Sequence, residues 1–201
     1  MRSQIIRKGR PDDVTHFTKL ILIAGKLLNV LYGKKSKQLM EYLYCQPKNI
    51  YSYEHTFFAE VNGKVGGMVL GYSKEIIQQE QQRTRELMIY ILKLGYLVRM
   101  KNLIKVHRYL GTPDINEYFI SHIANYPEFR NLGIGKNLIN MAVNEALRIG
   151  KQKVGLDVIR KNDNAIAFYE KYGFKKVYDY PPFLIKGQNY EYVKMELPII
   201  R

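Results

Sequence analysis

The stretch Ile123-Ala124-Asn125-Tyr126-Pro127-Glu128-Phe129-Arg130-Asn131-Leu132-Gly133-Ile134-Gly135-Lys136 lies between an apolar run that reads as a strand and a long amphipathic helix. Its residue types suit an anion. Gly133 and Gly135 let the main chain approach a ligand closely, the free amides at the start of the following helix point at it, and the helix dipole favours negative charge there. Arg130 and Lys136 add cationic donors at the two ends of the turn, so a pyrophosphate-sized group fits. A glycine-permitted tight turn with no ligand accounts for Gly133-x-Gly135 equally well. Two familiar nucleotide motifs fail: Asn137 follows Gly135-Lys136 where a Walker A sequence needs Ser or Thr, and Leu138 stands where a Rossmann turn needs its third glycine.

The elements around this turn read as alternating strands and helices. Gln4 to Lys8 reads as a strand. Pro11-Asp12-Asp13 then opens a helix, with proline in the first turn and acids against the dipole. Phe17, Leu20, Ile21, Ala24, Leu27, Leu28 and Leu31 recur at helical spacing up to Gly33. A second helix is expected from Ser36 to Tyr44. Thr56 to Tyr72 reads as a hairpin turning at Asn62-Gly63. Lys74 to about Leu110 turns Gln/Glu/Arg-rich and then basic amphipathic, which reads as one or two helices facing the core. Strands are expected at Tyr118 to Ala124, Lys153 to Ile159, Phe174 to Tyr178 and Tyr190 to Leu197, with helices at Gly133 to Ile149 and Asn164 to Tyr172. The fold class is α/β, with a central mixed and mostly antiparallel sheet flanked by helices and an extra helical segment, about 74–110, between strands 3 and 4.

With 201 residues, 46% of them hydrophobic, a substantial core forms without disulfides or metals, and one domain over 1–201 is the expectation. Cys45, the single cysteine, reads as a small apolar residue in a reducing compartment. No apolar run of signal-peptide or membrane-spanning length is visible, so a cytoplasmic protein with no membrane partner is expected. The net charge of +14, from 32 Lys and Arg against 18 Asp and Glu, attracts any polyanion. The basic residues are dispersed and no RNP or zinc-finger pattern is present, which disfavours nucleic acid.

Two blocks resemble the GNAT acetyltransferase superfamily. The first is Arg130-Asn131-Leu132-Gly133-Ile134-Gly135, approached by Pro127-Glu128-Phe129. The second is Leu156-Asp157-Val158 followed by Asn162-Asp163-Asn164-Ala165-Ile166-Ala167-Phe168-Tyr169-Glu170-Lys171-Tyr172-Gly173-Phe174. The first strand and helix and the Asn62-Gly63 hairpin are also similar, so the likeness covers most of the chain. The 74–110 segment departs from it, being longer than a minimal member has at that place.

The resemblance implies an N-acetyltransferase that moves an acetyl group from acetyl-CoA to a primary amine, carried by a small molecule or a peptide, by direct attack. It assigns the CoA pyrophosphate to the amides of Arg130, Asn131, Leu132, Gly133, Ile134, Gly135 and Lys136. The pantetheine falls to the strand edge at Ile123, Ala124 and Asn125, where backbone donors near Asn125 would also hold the oxyanion. Asn162, Ala165, Phe168 and Tyr169 complete the cofactor contacts, and Tyr169 is implied as the acid that protonates the thiolate. Asn162 also suits a helix cap.

The base for the amine stays open among Asp157, where some members carry glutamate, Glu117 and His122, which simple alternation puts on opposite faces of one strand, and a route through bulk water. Each of these residues also suits a surface charge or a hydrogen-bonded core histidine. No metal is needed, and a homodimer is compatible with the sequence. A sensor or scaffold that binds acyl-CoA without turnover, and a basic nucleic-acid binder, are the competing readings.

Overall fold

The computed structural model describes residues 3–110 and 112–199. Strand β1 (Gln4–Lys8) leads through a 3-10 turn at Pro11–Asp13 into α1 (Val14–Ala24), α2 (Lys26–Tyr32) and α3 (Ser36–Cys45). The hairpin β2 (Thr56–Val61) and β3 (Lys64–Ser73) follows, then α4 (Lys74–Leu92), α5 (Leu94–Tyr109) and β4 (Glu117–Asn125). The remainder is α6 (Ile134–Arg148), β5 (Lys153–Ile159), α7 (Asp163–Tyr172), β6 (Lys175–Asp179), β7 (Phe183–Ile185), β8 (Gln188–Tyr190) and β9 (Tyr192–Pro198).

Seven strands form a sheet in the order β1-β2-β3-β4-β5-β9-β6, and β7 with β8 forms a separate two-stranded ribbon. Neighbours in the large sheet run antiparallel except β4 and β5, which are parallel. Two apolar layers sandwich the sheet. On one face Phe17, Leu20, Tyr44, Phe58 and Met68 join side chains of α2 and α4, and on the other Leu138, Ile139 and Ala142 of α6 pack with Val154, Met195 and Phe174. The buried stripe of α6 repeats at i, i+1 and i+4, and truncating Leu138 to Ala, at 0% exposure, costs about 2–5 kcal/mol.

Several expectations change. The helix expected to run unbroken to Gly33 divides at Gly25, and the segments Pro11–Ala24 and Lys26–Cys45 are bent by 97°. A Cβ on Gly25 would stand 2.8 Å from both His122 Nε2 and Leu28 Cδ1, so the break is where the chain presses against β4. That bent pair matches a membrane span in length and composition, but Phe17, Leu20, Ile21, Leu39 and Leu43 are fully buried inside the fold. Among the described residues no single helix is long and apolar enough to cross a membrane.

Strand β4 carries a bulge. Leu70 pairs with His122 while Gly71 pairs with Ile120, leaving Ser121 as the extra residue. The simple alternation expected from Glu117 to His122 therefore fails. Ile120 and Ile123 both pack on the α6 layer, whereas His122 turns towards Gly25 and Tyr51 on the opposite face. The β7–β8 ribbon, turning at Lys186 and Gly187 with φ of 49° and 78°, was not anticipated. Helix α4 buries Leu87, Met88 and Leu92 as expected, but α5 has no fully buried residue and leaves Leu94 and Val98 each 79% exposed.

Candidate active site

The site begins where two parallel strands part. β4 and β5 pair from Glu117 opposite Lys153 to Ile120 opposite Leu156, and the pairing stops at the bulge. β4 continues along β3 as far as Asn125, and β5 continues along β9 as far as Ile159. From Ser121 to Asn125 the edge of β4 that would face β5 is thus without a strand. A cleft of about 1300 Å³ fills the gap and runs from the glycine turn to the space between α2 and α5.

The glycine turn closes one end of this cleft. Its left-handed residues are Asn131 (φ 61°) and Gly133 (φ 77°), a conformation that asparagine and glycine adopt with least strain. The first helical bond of α6 runs from Asn137 N to Gly133 O at 3.1 Å, so the amides of Ile134, Gly135 and Lys136 precede the bonded part of the helix and are available to an anion. Gly135 is helical, and its lack of a side chain provides room: a Cβ there would meet Phe168 Cζ at 3.0 Å and Asn125 Nδ2 at 3.5 Å.

Gln4 on β1 ties the turn down, donating from Nε2 to Leu132 O at 2.6 Å and accepting from Asn137 Nδ2 at 2.6 Å. Nothing in the sequence marked Gln4, because a polar residue at the start of an edge strand usually faces water. Arg130, Asn131, Gly133, Ile134, Gly135 and Lys136 line the cleft, as do Ile123, Ala124 and Asn125. Leu132 does not: its side chain packs against the α6 layer and its carbonyl is held by Gln4. On the facing wall, Asn162, Ala165, Phe168 and Tyr169 line the cleft, and the Asn162 side chain caps α7 by accepting from Ala165 N at 3.3 Å. The cap therefore holds Asn162 at the mouth.

Four acid–base candidates divide sharply. Tyr169 is 8% exposed, and burial pushes its phenol up to about 12, so it stays protonated at neutral pH. Among the described residues its hydroxyl has no hydrogen-bond partner, which leaves the proton free for a group in the cleft. Asp157 also lines the cleft. Burial raises its carboxyl from 3.8 to about 7, against the opposing hydrogen bond from Tyr180 (3.0 Å) and the charge of Lys194. Sequence reasoning missed Tyr180, which the last connection carries to β5.

His122 lines the cleft as well, with Nδ1 2.9 Å from Ser121 Oγ, and burial lowers its imidazole to about 4. It is therefore neutral at pH 7 and a weak base. Glu117 belongs elsewhere. It is 0% exposed, lies outside the cleft, accepts from Lys194 Nζ at 2.8 Å and takes the Asp114 amide at 2.9 Å. Its position at the paired end of β4 makes it a buried counter-ion for Lys194.

The sequence profile of the Acetyltransferase (GNAT) family matches residues 26–174, which spans the parted strands, the glycine turn and α7. The chain belongs to the GNAT acetyltransferase family. It is 28% identical over 176 residues to an uncharacterized N-acetyltransferase of Methanocaldococcus jannaschii, an alignment covering 88% of this chain and 62% of that protein. This chain thus spans less than two thirds of that relative's length. Among solved structures, an N-acetyltransferase from Staphylococcus aureus Mu50 superposes with a TM-score of 0.67 at 19% identity, covering 96% of this chain and 100% of the other. The ribosomal-protein-S18-alanine N-acetyltransferase of Escherichia coli superposes with a TM-score of 0.54 at 17% identity, over 98% and 94% of the two chains. These likenesses show that this chain shares its fold with both structures.

Proposed function

We propose that the protein transfers an acetyl group from acetyl-CoA to a primary amine within a ternary complex. One observation carries the reading: the unpaired edge of β4 and the open amides of the glycine turn face a single cleft that also holds Tyr169 and Asp157. The residues fit the donor. The amides of Ile134 to Lys136, with Arg130 and Lys136, suit a pyrophosphate, and the free backbone groups of Ile123 to Asn125 suit an amide chain laid along them. Acetyl-CoA supplies the thioester whose acetyl carbon the amine attacks.

The remaining chemistry belongs to groups of this protein. Asp157, titrating near neutrality, takes the proton that the amine gives up as its nitrogen bonds to the acetyl carbon. Backbone amides at the end of β4 stabilise the negative charge on the carbonyl oxygen. Tyr169 gives its proton to the sulfur as the carbon–sulfur bond breaks, leaving an N-acetyl amide and a free thiol. Water restores the Tyr169 proton, and Asp157 releases its own to solvent.

Release of free CoA thiol in the presence of an amine panel tests the reading, with Tyr169→Phe as the catalytic control. We expect kcat to fall about 10²-fold in that variant with acetyl-CoA affinity unchanged. Donor binding with no turnover of any amine would instead make the protein a sensor.

A further inference from the structure

The cleft continues past His122 and Asp157 into an arm between α2 and α5, walled by Tyr32, Tyr51, Tyr72, Phe119, Leu103 and Val106. The wall is aromatic and dry: Tyr32 is 2% exposed and Tyr72 7%. Three cations tie its flanking elements together. Arg99 donates to Tyr32 O at 3.2 Å, Lys105 to Leu184 O at 3.1 Å and Lys186 to Val30 O at 2.6 Å, joining α5, the β7–β8 ribbon and α2. An arm lined by aromatic and aliphatic side chains suits the apolar body of a small molecule.

Charge narrows the choice further. Among the described residues Asp157 is the one carboxylate lining the cleft, whereas Lys26, Arg130, Lys136 and Lys161 all line it. A single ammonium arriving at Asp157 finds one counter-charge. A second ammonium on the same body would enter the apolar arm desolvated and without an acid to pair with.

We propose that the acceptor is a primary monoamine on an uncharged aryl or alkyl body, with the nitrogen at Asp157 and the body between α2 and α5. This rests on the acetyl-transfer reading above. The ammonium first loses one proton to solvent, the neutral nitrogen then bonds to the acetyl carbon, the carbon–sulfur bond breaks, the second amine proton passes to Asp157 and the Tyr169 proton to sulfur. The product is a neutral N-acetylamide, which no longer pairs with Asp157 and can leave. The helices of the 74–110 segment thereby take a role in specificity, since Leu103 and Val106 come from α5 and Gln81, at the mouth of the arm, from α4.

The experiment first establishes acetyl-CoA binding by calorimetry, then compares 2-phenylethylamine, hexylamine and spermidine in a CoA-release assay. Thermal shift with 2-phenylethylamine alone gives a readout independent of turnover. We expect kcat/KM for the two monoamines to exceed that for spermidine by about 100-fold, and 2-phenylethylamine to raise the melting temperature. Gln81→Glu, an exposed change that adds a second acid to the arm, should shift the ratio towards spermidine by about fivefold. Leu103→Asp should lower kcat/KM for hexylamine with donor affinity unchanged. If the donor fails to bind, the acetyl-transfer reading falls. If the donor binds but spermidine is preferred, neither monoamine is turned over, or both variants leave the ratio unmoved, this inference alone is overturned.

Discussion

Replacing Asp157 with Asn should make the protein more stable and nearly inactive, with both effects tied to one ionisation. The carboxyl is largely enclosed, and burial lifts it from 3.8 to about 7 even though Tyr180 and Lys194 favour its charged form. A raised acid of this kind destabilises the fold through its charged form: the cost is absent below the unfolded value of 3.8, grows as pH rises and is complete above about 7. A shift of this size corresponds to about 4 kcal/mol, which Asn does not incur. For a chain of this length that is on the order of 10 °C in Tm at pH 8, shrinking towards zero at pH 4. Thermal unfolding of parent and variant across that range reads the difference directly. Loss of the base should also lower kcat/KM by about 10²–10⁴ and remove the rise in rate on passing pH 7. A stability gap that does not change with pH, or a variant with full activity, would refute the reasoning.

His122 titrates in the opposite sense. Burial lowers it from 6.5 to about 4, so its contribution to stability is complete above 6.5 and is lost as pH falls through 6.5 towards 4, up to about 3 kcal/mol. His122→Gln should flatten that acid limb in a difference curve against the parent, and an unaltered limb would show that the imidazole is solvated. Gln4→Ala removes both hydrogen bonds that hold the glycine turn, and we expect acetyl-CoA affinity to weaken about tenfold with little change in Tm, checked by calorimetry and thermal unfolding.

What the sequence conveyed well were features whose signal is local. β1 spans Gln4–Lys8 as expected, and the hairpin turns at Asn62 and Gly63 with φ of 51° and 75°. The spans of α3, α6 and α7 agree within a residue or two with their apolar stripes. What escaped depended on contacts between distant segments. The apolar spacing from Phe17 to Leu31 runs through Gly25 without interruption, so the bend there is visible only once His122 lies against it. No residue in Glu117–Asn125 announces that Ser121 is an extra residue, yet that bulge decides which face His122 takes and where β4 leaves β5.

The candidate site shows the same division. Most cradle residues and the α7 residues line one cleft, because their motif places them at the ends of neighbouring elements. Leu132 packs half-buried against the α6 layer, and it is its carbonyl that Gln4 grips. Glu117 and Asp157 look alike in sequence as acids on adjacent strands. The structure buries the first in an ion pair with Lys194 and opens the second onto the cleft.

Calorimetric titration with acetyl-CoA of the parent beside Gly135→Glu tests the central claim most directly. The glutamate would crowd Phe168, whose ring a Cβ at this position would meet at 3.0 Å, and set a negative charge among the amides of the turn. Saturable binding by the parent that disappears in a folded variant is the predicted result. Equal binding by both proteins, or none by a folded parent, would contradict the account.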